Sequence, residues 1–261
     1  MKKIIILFLT ISTFNIFAAP VGNPLNPEII ADGFFITPAS WINFRLGYEG
    51  NFVSDSRFDK RDSSGKIDNF KQDINSGSFT LNLQNRIDFS AVLGAARMRS
   101  DWRFDNAGTM SRIELETNYR LYWAVGGNVI LFQWGNTALS TGGRYSRAKP
   151  SLSFITQDGA PQDTGGSKVK FRDWQVDLGL AHQIDIFIPY VGVKYLNSRA
   201  KILDATFAIA DDSKNFMKMK NDDHFGVYVG SSLSNSKYFM LTVEARFIDE
   251  EAISVMGELK F

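Results

Sequence analysis

From Trp41 to the last residue the chain alternates apolar and polar side chains with unusual persistence. The clearest run is residues 113–125: Ile113, Leu115, Tyr119, Leu121, Trp123 and Val125 share one parity, interrupted only by Thr117. Glu114, Glu116, Asn118, Arg120 and Tyr122 occupy the other parity. Successive side chains of a strand point to opposite faces, so this pattern predicts one strand with an apolar face and a charged face. The same period returns over 42–48, 79–86, 89–95, 137–145, 174–180, 190–195, 225–230, 239–247 and 253–261. About ten strands are expected, within a range of eight to twelve, and no amphipathic helix pattern separates them.

The connections sort by side. Stretches 54–76, 98–112, 147–171 and 199–222 are long and polar, with residues 249–252 the short exception, whereas 85–88, 133–136, 183–187 and 233–237 are brief. Short turns at one end and long loops at the other are the plan of an outer-membrane barrel, and a soluble sandwich has no reason to sort its loops. The expected fold is therefore all-β, a transmembrane antiparallel up-and-down barrel. Hydrocarbon cannot satisfy backbone N–H and C=O groups, so a sheet spans it only when closed on itself. Trp41, Tyr48, Phe52, Trp123, Trp134 and Trp174 fall near strand ends, where aromatic girdles belong.

The first residues read MKK, then IIILFLTISTFNIF, then Ala18-Ala19, the order of a secretory signal. Cleavage is expected after Ala18, because Pro20 disfavours the next bond. This divides the chain into a signal peptide, 1–18, and a single barrel domain, 19–261. Loss of Lys2 and Lys3 takes the net charge from +1 to −1, which gives no electrostatic footprint for nucleic acid. With no cysteine, the exported chain cannot rely on disulfides.

Charges inside membrane strands must avoid lipid, where Lys or Arg at the midplane costs about 2–4 kcal/mol. The candidate pore-lining residues are Arg45, Glu49, Arg86, Glu114, Glu116, Arg120, Asp177, Lys194, Glu244, Arg246, Glu258 and Lys260. Eight strands enclose an interior just filled by side chains and sixteen leave a channel, so ten imply a narrow bore. The expected function is passive diffusion of ions and small solutes through a mixed-charge pore with a weak cation preference. The rival is a structural or adhesive barrel whose polar loops 54–76 and 147–171 meet host or envelope partners. Catalytic and metal motifs are missing: His182 and His224 are the only histidines, and neither HExxH, CxxC nor a nucleophile elbow accompanies them. No cofactor and no enzymatic activity are expected.

Five ordered stretches carry a family resemblance: PVGNPLNPEIIADG (20–33), RLGYEGNFVSD (45–55), residues 122–150, residues 174–195, and KYFMLTVEARFIDEEAISVMGELKF (237–261). Together they resemble the chlamydial major outer membrane protein family. The resemblance implies a pore-forming, trimeric surface antigen amid outer-membrane lipid and lipopolysaccharide. It also implies that the terminal Phe261 is the signal read by the barrel-assembly machinery. Two departures stand out: the family is longer in its surface loops, and it carries a Cys-Gly-Cys where this chain has Trp134-Gly135-Asn136. The family's disulfide cross-links therefore have no counterpart here.

Overall fold

The computed structural model describes residues 20–29, 41–56, 58–60, 65–106, 109–204, 218–235 and 237–261. The signal segment 1–18 lies outside the described residues. Among the described residues fifteen strands form one sheet. In chain order they are β1 (Ile42–Ser56), β2 (Phe58–Lys60), β3 (Gly65–Leu83), β4 (Ile87–Asn106), β5 (Thr109–Thr117), β6 (Arg120–Trp134), β7 (Thr137–Ala148) and β8 (Leu152–Gln157). There follow β9 (Ala160–Pro161), β10 (Lys168–His182), β11 (Phe187–Leu203), β12 (Lys218–Asn221), β13 (Phe225–Ser234), β14 (Phe239–Phe247) and β15 (Glu250–Lys260).

Ten of them close an antiparallel barrel, each beside its chain neighbour: β1, β3, β4, β6, β7, β10, β11, β13, β14 and β15. The seam joins first to last. Arg45 opposes Lys260 in the β1–β15 ladder, and the Phe261 N–H donates to the Phe44 carbonyl at 3.0 Å. No sheet edge is left for hydrocarbon.

The apolar parity faces outward. Leu46, Phe79, Leu93, Leu121, Val176, Val193, Val229, Leu241 and Val255 are all exposed. β14 shows the minimum crossing, 9 residues, which matches a tilted membrane strand. An aromatic row runs along the loop-side rim: Trp123 meets Tyr145 at 5.6 Å between centroids, Trp174 meets Tyr195 at 5.2 Å, and Tyr195 meets Phe225 at 5.3 Å. Trp41 and Trp134 are exposed at the short-turn end.

The stretches expected to be long loops are largely strand. β4 runs for 20 residues and β3 for 19. About ten residues of each therefore project past the apolar band, roughly 30 Å along the strand at ~3.3 Å per residue. Above the rim both faces change character. Inside, Phe70, Met98, Trp102, Ile113, Leu115, Leu152, Ile155, Phe171 and Ile202 form an apolar core across the barrel mouth. Outside, Arg97, Arg99, Arg103 and Arg112 pair with Glu116, Asp73, Asp68 and Asp101. Water rather than lipid surrounds this part, so the ordinary arrangement of apolar inside and charged outside returns.

One expected strand is in fact two. Arg99 opposes Glu116, yet Ala96 opposes Arg120, so one extra residue sits on the β5–β6 side, at Asn118–Tyr119. A bulge of one residue reverses which face each parity takes. Leu121 and Val125 face outward, but Ile113 and Leu115 are buried inside.

Candidate functional site

The site is the lumen, and the chain itself fills its short-turn end. Residues 20–29 lie inside the barrel and end in a single helical turn, α1 (Asn26–Ile29). Pro20, Pro24 and Pro27 each remove an N–H donor, and so lower the number of backbone groups that need partners. The remaining groups are met by the wall. The N–H groups of Val21 and Gly22 donate to the two oxygens of Glu244, each at 2.9 Å. Asn23 donates to the Ile188 carbonyl at 3.1 Å and to Ser232 at 2.9 Å. Arg45 donates to the Asn26 carbonyl at 3.1 Å, and Asn82 to the Pro27 carbonyl at 3.0 Å. Leu25 and Ile29 pack on Ile130, Ala138, Ala181, Ile188, Tyr190, Tyr228 and Met240. We refer to this segment as the plug.

Beyond the plug lies a belt of paired charges. Glu244, Arg246, Asp249, Glu250 and Lys194 form one group: Arg246 reaches Glu244 at 2.7 Å and Glu250 at 3.1 Å, and Lys194 reaches Asp249 at 3.1 Å and pairs with Glu250. On the opposite wall Arg45 contacts Asp88 at 2.5 Å and Glu258 at 3.7 Å. Arg144 binds Glu49 through both its terminal nitrogens, one of them at 3.1 Å, and takes Tyr122 at 3.2 Å. Charges this deeply buried are tolerated only with partners, and removing one of a pair costs about 3–5 kcal/mol. A cavity of about 90 Å³, room for a few waters, remains between plug and wall. Arg45, Glu49, Asp88, Arg144, Asp177 and Glu258 line it. Towards the loops the lumen runs into the apolar core.

Of the sequence-derived candidates, Arg45, Glu49, Asp177, Lys194, Glu244, Arg246, Glu258 and Lys260 point inward. Four need correction. Glu114 and Glu116 project outward above the rim, because the bulge inverts β5 and because charges there meet water; they pair with Arg112 at 2.9 Å and with Arg97. Arg120 is exposed beside that bulge, and Arg86 is exposed in the tight β3–β4 turn, where its N–H donates to the Leu83 carbonyl at 3.0 Å. Outside the membrane band, the hydrogen bonds that Arg103 donates to Asp68 raise its pKa above its ordinary value, and those that Arg112 donates to Asp101 do the same for Arg112.

The plug, Asp88, Arg144, Asp173, Asp249 and Glu250 escape the sequence reading. Arg144 sits in the Gly-rich run of β7, whose alternation is weak, Asp249 falls in the β14–β15 bend, and Glu250 is the first residue of β15. The Pro- and Asn-rich PVGNPLNP, apolar but without period, is the one signal that could have marked the plug. His182, at the short-turn rim, contacts Thr137 at 2.7 Å, and among the described residues no cluster of His, Asp and Glu is arranged to hold a metal.

The family profile described as Chlamydia major outer membrane protein matches residues 152–216. The major outer membrane porin, serovar E, of Chlamydia trachomatis is 22% identical over 392 aligned positions, covering 100% of this chain and 99% of that protein. The major outer membrane porin of Chlamydia psittaci is 24% identical, with 96% of each chain covered. These alignments are longer than the 261 residues of this chain, so the relatives carry long insertions. Among solved structures, the outer membrane protease OmpT from Escherichia coli superposes with a TM-score of 0.40 at 12% identity, over 84% of this chain and 94% of that one. End-to-end similarity and closed ten-strand architecture agree: the chain is an outer-membrane β-barrel that resembles the chlamydial major outer membrane porins along its whole length, shorter than they are and without cysteine.

Proposed function

We propose that the protein is an outer-membrane porin with a narrow, plugged pore for ions and small solutes. The observation that carries this reading is the nature of the plug. It is a separate stretch of chain held to the wall by hydrogen bonds and a small apolar contact, not part of the wall, so it can withdraw without opening a ladder. Behind it lies a wall of mixed charge, the lining such a pore needs. The relatives named major outer membrane porins support the same reading, and it is a non-enzymatic one.

Planar-bilayer recording of the refolded protein, intact and lacking residues 20–29, tests it. Discrete conductance steps are expected in both forms, larger and more frequent without the plug. Silence of both forms at every voltage would sink the pore reading.

The apolar core at the mouth favours a second reading, a structural or adhesive barrel displaying a rigid tip. Bacteria displaying the intact chain, and a chain with 158–166 replaced by Gly and Ser, separate the two. Adhesion lost while conductance stays supports an adhesive tip. No adhesion by the intact chain removes it.

A further inference from the structure

Above the loop-side aromatic row the two flanks of the barrel treat arginine differently. On β3–β4–β5, Arg103 opposes Arg112, and each is neutralised: Arg103 by Asp68 at 2.6 Å, Arg112 by Asp101. On β7–β10–β11, Arg147 opposes Arg172, which in turn opposes Arg199. All three are exposed, and among the described residues no carboxylate lies within ion-pair reach of them. The nearest acid, Asp173, points inward and accepts from Ser146 at 2.5 Å; Asp222 and Asp223 follow Asn221 at the far margin. Lys170 opposite Lys201 adds a second basic row one pleat higher. Like charges facing each other across strands are destabilising, so such a ladder calls for an external anion.

Two further observations define that anion. Arg172 and Arg199 edge an outward depression of about 220 Å³ whose lining also includes Tyr145, Asp173, Trp174 and Asn197, the Asp173 carboxylate being engaged by Ser146. Tyr145 and Trp174 oppose each other directly below the arginines, at the aromatic level that marks the membrane interface. Beneath them, Val176 and Val193 continue as exposed apolar stripes. An occupant must therefore carry negative charge at the top, a body that rests on aromatic rings, and chains that lie along the wall.

We infer that the Arg147–Arg172–Arg199 ladder is the docking site for the phosphorylated sugar headgroup of an outer-leaflet glycolipid. The guanidinium groups take the phosphate oxygens as charge-assisted, forked hydrogen bonds, Tyr145 and Trp174 support the sugar, and the acyl chains follow the outward stripes. The site lies outside the lumen and is independent of the pore.

Native mass spectrometry from detergent, supplied with a purified bisphosphorylated acylated glucosamine disaccharide, tests it. The wild type should hold this lipid, and R147S/R172S/R199S should bind it at least about tenfold more weakly, given the strength of hydrogen bonds between charged groups. R103S, on the paired flank, should bind as the wild type. Heat-modifiable migration checks folding. If the triple variant fails to fold, wild-type binding must still weaken as salt rises, because exposed charge contacts are screened. Full binding by the triple variant, wild-type binding indifferent to salt, or equal binding of the dephosphorylated lipid would each overturn the assignment. Equal binding of the deacylated, phosphorylated disaccharide would reassign the site to a soluble phosphate. Bilayer conductance of R147S/R172S/R199S should match the wild type, so this test and the pore test fail separately.

Discussion

Glu244 is the residue on which the plug's attachment converges. Its two oxygens accept the Val21 and Gly22 N–H groups, and it also takes the Tyr190 hydroxyl at 3.0 Å and Arg246. A carboxylate accepting backbone N–H groups makes charge-assisted bonds worth about 1.5–3 kcal/mol. Glu244→Gln keeps one acceptor and removes the charge, and Arg246 retains Glu250. The wall should therefore stay folded while the plug loosens: open probability in bilayers should rise about tenfold or more, and an unchanged value would show that the plug is held elsewhere. Tyr228 offers a second residue-scale test. Its ring lies against Gly192, and its hydroxyl and Pro24 crowd Gly179, so both glycines leave room that a Cβ would take. Gly192→Val should lower stability against urea by about 1–3 kcal/mol, the usual cost of overpacking. These roles could not be read from the sequence. An inward Glu is legible from parity alone, but which backbone it holds depends on a segment 222 residues away.

At the scale of the element, the membrane crossings were legible because lipid imposes one rule on every outward side chain. β14 and β15 follow the expected parity from Phe239 to Leu259. The rule lapses at the rim. The same alternation continues into the extension with its faces exchanged, so parity alone places Glu114 and Glu116 in the lumen, whereas the structure turns them to water. The bulge at Asn118–Tyr119 performs the exchange, and its worth can be measured. Deleting Asn118 should rotate β5 by one face, turning Ile113 and Leu115 to water at about 1.5–3 kcal/mol each. The expected result is an intact barrel whose tip becomes sensitive to protease, read by limited digestion. A tip as resistant as the wild type would mean that the register recovers elsewhere. β15 carries a different prediction. Phe261 closes the seam onto Phe44, and we propose that it also addresses the chain to the assembly machinery. Removing Phe261 should reduce heat-modifiable barrel in the outer membrane, and unchanged assembly would count against that role.

The whole molecule is a barrel filled by two different means: a hydrogen-bonded plug with a small apolar contact at the short-turn end and an apolar core at the loop end. Between them the inward carboxylates Glu49, Asp88, Asp173, Asp177, Glu244, Asp249, Glu250 and Glu258 outnumber the inward cations Arg45, Arg144, Lys194, Arg246 and Lys260. Mutual pairing conceals this excess while the plug is seated, since each arginine is held by a carboxylate at short range. Withdrawing the plug returns to Glu244 the lone pairs now used by Val21 and Gly22, and admits water beside Asp88 and Asp177. A wet lumen with surplus negative charge concentrates cations, and the bias weakens as the Debye length shrinks from ~10 Å at 0.1 M to ~3 Å at 1 M salt. The form lacking residues 20–29 should therefore show a reversal potential of cation sign in a potassium chloride gradient at low ionic strength, shrinking towards zero at about 1 M. Asp88→Asn together with Glu258→Gln, which leaves Arg45 without its carboxylates, should move the reversal potential towards anions. A plugless pore that already prefers chloride would show that the surplus carboxylates do not face the conducting path.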